Sequence, residues 1–496
     1  MNSDVLDGLI FAILPLAILA NFLGVLLGIV FGALPGLTAT MGLALLIPLT
    51  IGLDPIVAFS ALLGVYVGSI YAGSITAVLI GTPGTAAAAA ALLEGPALTK
   101  KGEAKKSLMM VTIASVIGGL FSCITLAVVA PQLARFALSF GPPEYFALAL
   151  FGISIVAGVT GKSLVRGLIA GSIGLFIATI GIDPITGISR YTFDNVNLLS
   201  GIDIVPALVG LFAISEVLTR LENNNKTIKE KIIESKIGLK IVDLTRNWFN
   251  LLRSSVIGTF IGIIPATGSG VAGYVAYNEA KRASKEKEKW GKGNIDGLAA
   301  TESSNSAVTG GALIPLLTLG IPGDVITAVM LGALMIQGLT PGPMLFTNNG
   351  DIVYGIFFSL IIANIFVLIV GLAGTKIFPK LLNIPENILM PIIVVLCILG
   401  SYAISNSMFD VIVMFVFGLL GYILLKFEIP LAPLLLALIL APILEKNFMR
   451  SILISNGDFS IFFTRPISLT VILVTLLVII FIILGEVRKR NKKEFV

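Results

Sequence analysis

The chain has 496 residues, 56% of them hydrophobic and only 12% charged, roughly half the charged share of a soluble domain, so a water-soluble globular protein is excluded. It contains no histidine, and its two cysteines, Cys123 and Cys397, both lie in apolar runs; imidazole relays, Ser-His triads, disulfide frameworks and thiolate metal sites are thereby removed. The formal charge of +5 is small, and the Lys and Arg that produce it stand in loops, which reads as an orientation signal rather than as nucleic-acid binding.

A helical span takes about 20 apolar residues, and no stretch alternates as a barrel strand would. The expected fold is therefore an all-α polytopic membrane protein with about 11–12 transmembrane segments. The first residues are acidic and have no basic region followed by a small-residue cleavage site, so they are expected to belong to the mature protein, with the N-terminus outside. Residues 8–50 are expected to form a hairpin that returns to the face it entered, its tip at 32–40 (GALPGLTAT). After the Asp54 turn comes a helix rich in small residues, broken at 81–84 by Thr82-Pro83-Gly84. The loop at 94–106 carries Lys100, Lys101, Lys105 and Lys106, which places it in the cytoplasm.

Spans near 107–130, 145–160, 163–181 and 202–219 then alternate sides, leaving Lys162 and Arg166 inside and Asp183, Asp194 and Asp203 outside. The polar, basic segment 220–250 reads as a cytoplasmic linker between two halves. The next apolar piece, 251–277, is basic on both flanks, so it should not cross once; a re-entrant hairpin with its tip at 262–270, broken at Pro265, resolves the conflict. A second helix rich in small residues comes next, broken at 320–323 by Ile321-Pro322-Gly323. The second half runs to about 445, and the rest, 446–496, supplies one extra span near 466–485 and a basic cytoplasmic tail. Residues 1–219 and 251–445 thus read as an inverted-topology repeat with paired re-entrant hairpins and broken helices, an architecture that builds secondary transporters with a midplane site.

A Pro-Gly break leaves backbone N–H groups free at the start of one half-helix and carbonyls free at the end of the other. The first suit a carboxylate and the second a sodium ion. Around the tips and breaks stand Thr38, Thr40, Thr267, Ser269, Ser69, Ser74, Thr82, Thr85, Ser303, Ser304, Asn305 and Thr318. Their oxygens suit a hard cation or hydrogen bonding to a carboxylate, although a membrane Ser or Thr often bonds only its own helix. Glu302 and Asp324 flank the second broken helix. An ionisable group there is a functional candidate, Glu302 for cation binding or gating; Asp324 serves equally well as a helix cap.

These stretches resemble the large membrane subunit of tripartite tricarboxylate transporters. The likeness runs through GALPGLTATMGLALLIPLTIGLDP, GSIYAGSITAVLIGTPG and EGPALTKKG in the first half. In the second it runs through GIIPATGSGVAGYVAY and the segment from GKGNIDGLAATESSNSAVTGG to QGLTPGP. Three positions depart from the family pattern: Gly81 stands for an Asn, Glu94-Gly95-Pro96 for Asp-Gly-Tyr, and Asn305-Ser306 for Asn-Asn.

The resemblance implies a secondary active transporter of a prokaryotic cytoplasmic (inner) membrane. It would import tricarboxylates or related carboxylates with a small four-span membrane subunit and an extracytoplasmic solute-binding protein. It implies no enzyme activity, no cofactor and no nucleic-acid partner, only a co-transported sodium ion or proton. The solute would be bound by Pro35, Gly36, Thr38, Thr82, Pro83, Gly84, Pro265, Thr267, Gly268, Asn305, Pro322 and Gly323. Cation coupling would fall to Ser74, Glu302, Ser304, Thr318 and Asp324. The competing reading is another ion-coupled symporter or antiporter of the same architecture that needs no binding protein.

Overall fold

A computed structural model describes residues 2–34, 37–159, 164–183, 186–222, 238–265, 268–375, 377–378 and 386–494. In chain order the helices are α1 (Asn2–Ala12), α2 (Pro15–Ala33), α3 (Ala39–Leu49), α4 (Pro55–Ile80), α5 (Gly95–Lys100), α6 (Ala104–Ala137), α7 (Pro142–Val159), α8 (Leu164–Ala178) and α9 (Ile204–Glu222). They continue with α10 (Ile241–Ile263), α11 (Gly268–Ala283), α12 (Ile295–Leu319), α13 (Val325–Ile336), α14 (Pro343–Asn348), α15 (Gly350–Gly374), α16 (Glu386–Ser405), α17 (Met408–Lys426), α18 (Leu431–Ile454), α19 (Ile461–Thr464) and α20 (Pro466–Glu494). A 3-10 helix, Ala86–Leu93, comes after the first break. Among the described residues, eight helices are long and apolar enough to cross a membrane, and four shorter apolar helices of 10–17 residues accompany them. The chain is an all-α polytopic membrane protein.

Several boundaries differ from the sequence expectation. The stretch 8–50 holds the end of α1 as well as α2 and α3, with the described backbone turning at Leu34 and Leu37 between the last two. Helix α10 begins at Ile241, inside the segment expected to be linker, because Asp243 accepts from the Lys240 backbone N–H and fixes the first turn. Residues 223–237 of that segment lie outside the described residues. Helix α9 carries a π-helical turn at Gly210–Ile214, invisible to periodicity because only one backbone register shifts.

The chain divides into two compact units, 1–134 with 220–400 and 135–219 with 401–496, so each unit draws on both halves of the sequence. The core of the first unit is α4 and α12, which are buried along nearly their full length. Lipid-embedded helices gain little from hydrophobic exclusion and are held by close packing, which this unit achieves with glycine. A β-carbon on Gly24, Gly28 or Gly32 of α2 would collide with the carbonyl of Ala61, Val65 or Ser69 on α4. On the other side, Gly258 and Gly262 of α10 press on the carbonyls of Ser304 and Val308 of α12, and Gly118 of α6 on that of Ser303.

The second unit packs α18 against α7 and α8, α20 against α7, and α17 against α9. Its polar ties are Arg190, which bonds both Glu445 oxygens at 2.6 and 3.2 Å, and Arg465, which reaches Glu144 at 3.3 Å.

Candidate functional site between the two broken helices

Helix α4 starts where Asp54 accepts from the Ile56 N–H and Pro55 takes the first helical position, and α12 starts where Asn294 accepts from the Asp296 N–H. Each stops at a glycine in the left-handed conformation, Gly81 (φ +68°) and Gly320 (φ +71°), where a side chain would be strained. Proline two residues on forbids continuation. The two breaks then fold alike. A β-carbon on Gly84 would strike the Gly32 carbonyl, and one on Gly323 would lie 2.7 Å from the Gly262 carbonyl. Gly32 and Gly262 stand at matching distances before Pro35 and Pro265, so each break glycine seats on the helix leading into its own half's predicted hairpin tip.

Beyond the breaks the two halves differ. After the second, Asp324 caps α13 through a reciprocal pair: its Oδ1 accepts from the Thr327 N–H at 2.7 Å, and its own N–H donates to Thr327 Oγ1 at 2.9 Å. Its other oxygen accepts from Tyr66 of α4 at 3.2 Å. After the first break, Thr85 precedes the 3-10 helix without capping it, and its buried Oγ1 has no hydrogen-bond partner among the described residues. Tyr66 lies as far before Gly81 as Asn305 lies before Gly320, and Thr85 as far after Gly81 as Asp324 after Gly320. One matched pair, Tyr66 and Asp324, is bonded; in the other, Asn305 and Thr85, each member has unpartnered buried polar atoms.

In the first third of α12, Glu302 is 1% exposed. Its Oε1 accepts from Ser74 Oγ of α4 at 2.6 Å, and Ser115 of α6 and Asn305 lie beside the carboxylate. Neither α4 nor α12 contains Lys or Arg, and no positive side chain is among the groups acting on Glu302. Among the described residues, Glu302 Oε2, Ser115 Oγ, Ser304 Oγ and both amide atoms of Asn305 are buried without an adequately placed hydrogen-bond partner. Buried polar atoms are almost always paired, so this concentration of unpaired ones in one unit core singles these residues out as the candidate site.

The other expected site residues have more varied surroundings. Thr38 is half-buried and caps α3 by accepting from the Met41 N–H at 3.1 Å. Thr82 is exposed, Pro83 half-buried, and Gly84, Pro265, Pro322 and Gly323 buried. Gly268 opens α11. Thr318 donates to the Ile314 carbonyl of its own helix at 2.6 Å, so its hydrogen is spent within α12. Pro35, Gly36 and Thr267 lie outside the described residues. Ser115 and Tyr66 do not stand out in the sequence, since a single hydroxyl in an apolar helix carries no signal of what it faces.

The loops around the site are tied by a residue that stands out in the sequence only as a departure from a motif. Glu94 is 1% exposed. Its Oε1 accepts from Tyr277 Oη (2.8 Å) and the Gly291 N–H (2.6 Å), its Oε2 from the N–H groups of Gly293 (2.8 Å) and Asn294 (2.7 Å). Lys101 adds a bond to the Gly293 carbonyl at 3.1 Å. The two basic loops, 94–106 and 281–294, therefore meet at one end of the unit.

Over residues 18–436, most of its length, the sequence matches the tripartite tricarboxylate transporter TctA family. The chain belongs to that family. Two relatives from Agrobacterium vitis extend the match. A protein described as an uncharacterized 52.8 kDa protein in the TAR-I ttuC′ 3′ region is 35% identical over 493 residues, 98% of this chain and 97% of the relative. Another, from the TAR-II ttuC′ 3′ region, is 37% identical over 239 residues, 48% of this chain and 99% of that protein. No solved structure matches the chain. As a TctA-family member the chain is a component of a tricarboxylate transporter.

Proposed function

We propose that this chain is the large membrane subunit of a secondary importer that carries a di- or tricarboxylate inward across a prokaryotic inner membrane, driven by a cation gradient. It would act with a small four-span membrane subunit and an extracytoplasmic solute-binding protein. The observation that carries the reading is the group of unpaired buried oxygens and amide atoms between α4 and α12, which contains one acidic group and no basic one. An anionic solute entering such a place needs N–H and O–H donors and a compensating cation. The matched breaks and glycine seats support an inverted repeat whose halves alternate access to that place.

Of the two half-helix starts, the first is the better place for the solute's carboxylate. Asp324 already occupies the second, both by its cap and through Tyr66, and would repel an anion. Thr82, Pro83, Gly84, Thr85 and the Asn305 amide are then the solute-binding set, with main-chain N–H groups past Thr85 free of any capping side chain.

The test is uptake of labelled di- and tricarboxylates into proteoliposomes containing this chain and its small subunit, with binding protein outside and a sodium or proton gradient imposed. Accumulation should require both the binding protein and one of the gradients. Accumulation indifferent to both would overturn the reading.

A further inference from the structure

We infer that Glu302, Ser74, Ser115 and Asn305 form the site of one dehydrated monovalent cation, and that the Asn305 amide is the element that links this cation to the solute. The inference rests on the transport reading above and adds to it the occupant and the coupling residue.

Three helices bring polar groups to the Glu302 carboxylate: Asn305 stands beside it on α12, Ser115 comes from α6 and Ser74 from α4. The carboxylate is 1% exposed, Asn305 1%, Ser115 2% and Ser74 fully buried, so water contributes little to their solvation. Ser74 is engaged with Oε1, which orients the carboxylate, while Oε2 has no adequately placed partner although Ser115 and Asn305 lie beside the group. A single negative charge with neutral oxygens around it suits one unit of positive charge and not a divalent ion. Consistent with this, no group of three His, Cys, Asp or Glu side chains occurs among the described residues.

The groups facing Glu302 from neighbouring elements are hydroxyls and phenols. Helix α4 offers Ser74 and Tyr71, the latter joined to Thr112 of α6 at 2.9 Å, and α6 offers Ser115. On the far side of α12, Ser255 of α10 bonds Ser303 at 2.8 Å. None of these supplies the missing positive charge.

Asn305 gives the arrangement its coupling logic. Both ends of its amide are buried and unpaired. With Oδ1 held on the cation, the planar amide must aim Nδ2 away from it, as a donor to an anion. The matched position in the other half is Tyr66, whose hydroxyl donates to Asp324. By the same correspondence the Asn305 amide points toward the Thr85 side, the start left uncapped for a solute. Cation binding thus fixes a donor for the carboxylate, and each ligand raises the other's affinity.

The experiment uses the purified full-length chain in lipid nanodiscs, with thermal unfolding followed against sodium at fixed pH, against potassium at equal ionic strength, and against pH without sodium. If sodium is the occupant, the wild type shows a saturable stabilisation by sodium and none by potassium. Glu302→Gln, which keeps the shape, abolishes it, and Ser115→Ala raises the half-saturating concentration about tenfold, the loss expected for one neutral ligand. A wild type indifferent to sodium, whose pH profile flattens only in Glu302→Gln, would mean that Glu302 merely takes up a proton and would overturn the coordinated-cation site. Identical sodium and pH responses in wild type, Glu302→Gln and Ser115→Ala would overturn the inference. Cation-driven uptake by Glu302→Gln at the wild-type rate would overturn it while leaving the transport reading standing. Absence of uptake by the wild type would instead remove that reading.

Discussion

The Glu94 tie offers a perturbation whose size can be worked from the structure. Four donors converge on one buried carboxylate, three of them main-chain N–H groups at 2.6–2.8 Å and the fourth the Tyr277 phenol. Hydrogen bonds to a charged group contribute about 1.5–3 kcal/mol each, and a donor left buried and unpaired costs about 1–3 kcal/mol. Glu94→Ala strands all four donors, but the Gly291–Asn294 segment is at the surface and partly rehydrates, so the expected cost is about 3–5 kcal/mol rather than the full sum. Tyr277→Phe removes one donor and leaves three, costing about 1 kcal/mol. In the double variant the Tyr277 change should add almost nothing, because its partner is already gone. The assay is thermal unfolding in nanodiscs together with limited proteolysis in the 284–294 loop. Glu94→Ala should lower the midpoint and expose the loop, with Tyr277→Phe intermediate. Equal proteolysis of Glu94→Ala and wild type, or fully additive effects in the double variant, would refute the claim that one carboxylate holds these loops together.

Contacts elsewhere set further expectations. Gly323→Ala places a methyl against the Gly262 carbonyl and Ala312, and Gly84→Ala does so against the Gly32 carbonyl and Thr76; each should destabilise the chain by about 1–3 kcal/mol, read as a lowered unfolding midpoint. Gly81→Ala meets no atom closer than 3.6 Å, so only its left-handed backbone resists, costing about 1 kcal/mol; an effect as large as that of Gly84→Ala would contradict the seating of the break glycines. Asp324→Asn keeps one acceptor for the cap, so it should cost about 1–2 kcal/mol of stability while solute affinity stays within about twofold; lost solute binding would place the solute at the second break instead. Arg190→Ala should cost up to about 1 kcal/mol in the second unit, read from its unfolding midpoint, because the guanidinium that grips both Glu445 oxygens is partly exposed.

Much of this fold is readable in the sequence because membrane helices write their breaks in a small vocabulary. Gly81-Thr82-Pro83-Gly84 and Gly320-Ile321-Pro322-Gly323 cannot continue a helix, and the structure ends α4 and α12 at the first glycine of each. Glu302 is also visible, as an acid in an otherwise neutral small-residue stretch. Sequence alone does not separate Asp324 the cap from Asp324 the binding group, since both readings need an acid at a helix start; the reciprocal bonds with Thr327 and the reach of Tyr66 assign it a structural engagement. Thr318 looks equivalent to Ser304 on paper, yet one bonds its own helix and the other stands unpaired. Rotamers decide that difference, and composition does not encode them. Glu94 escapes because three of its four partners are main-chain N–H groups, which any residue supplies. The grouping of α1–α6 with α10–α15 escapes as well, because the sequence suggests two successive halves while the compact units draw on both.

A solute bound as proposed must depend on the Asn305 amide. The most direct test is carboxylate uptake by Asn305→Ala in the reconstituted transporter, compared with wild type at equal membrane content and with binding protein and cation gradient supplied. Uptake is expected to fall at least about tenfold while the chain still unfolds in one cooperative transition, because neither end of the amide has an adequately placed hydrogen-bond partner among the described residues. Uptake by Asn305→Ala with wild-type rate and half-saturation would contradict this placement of the solute.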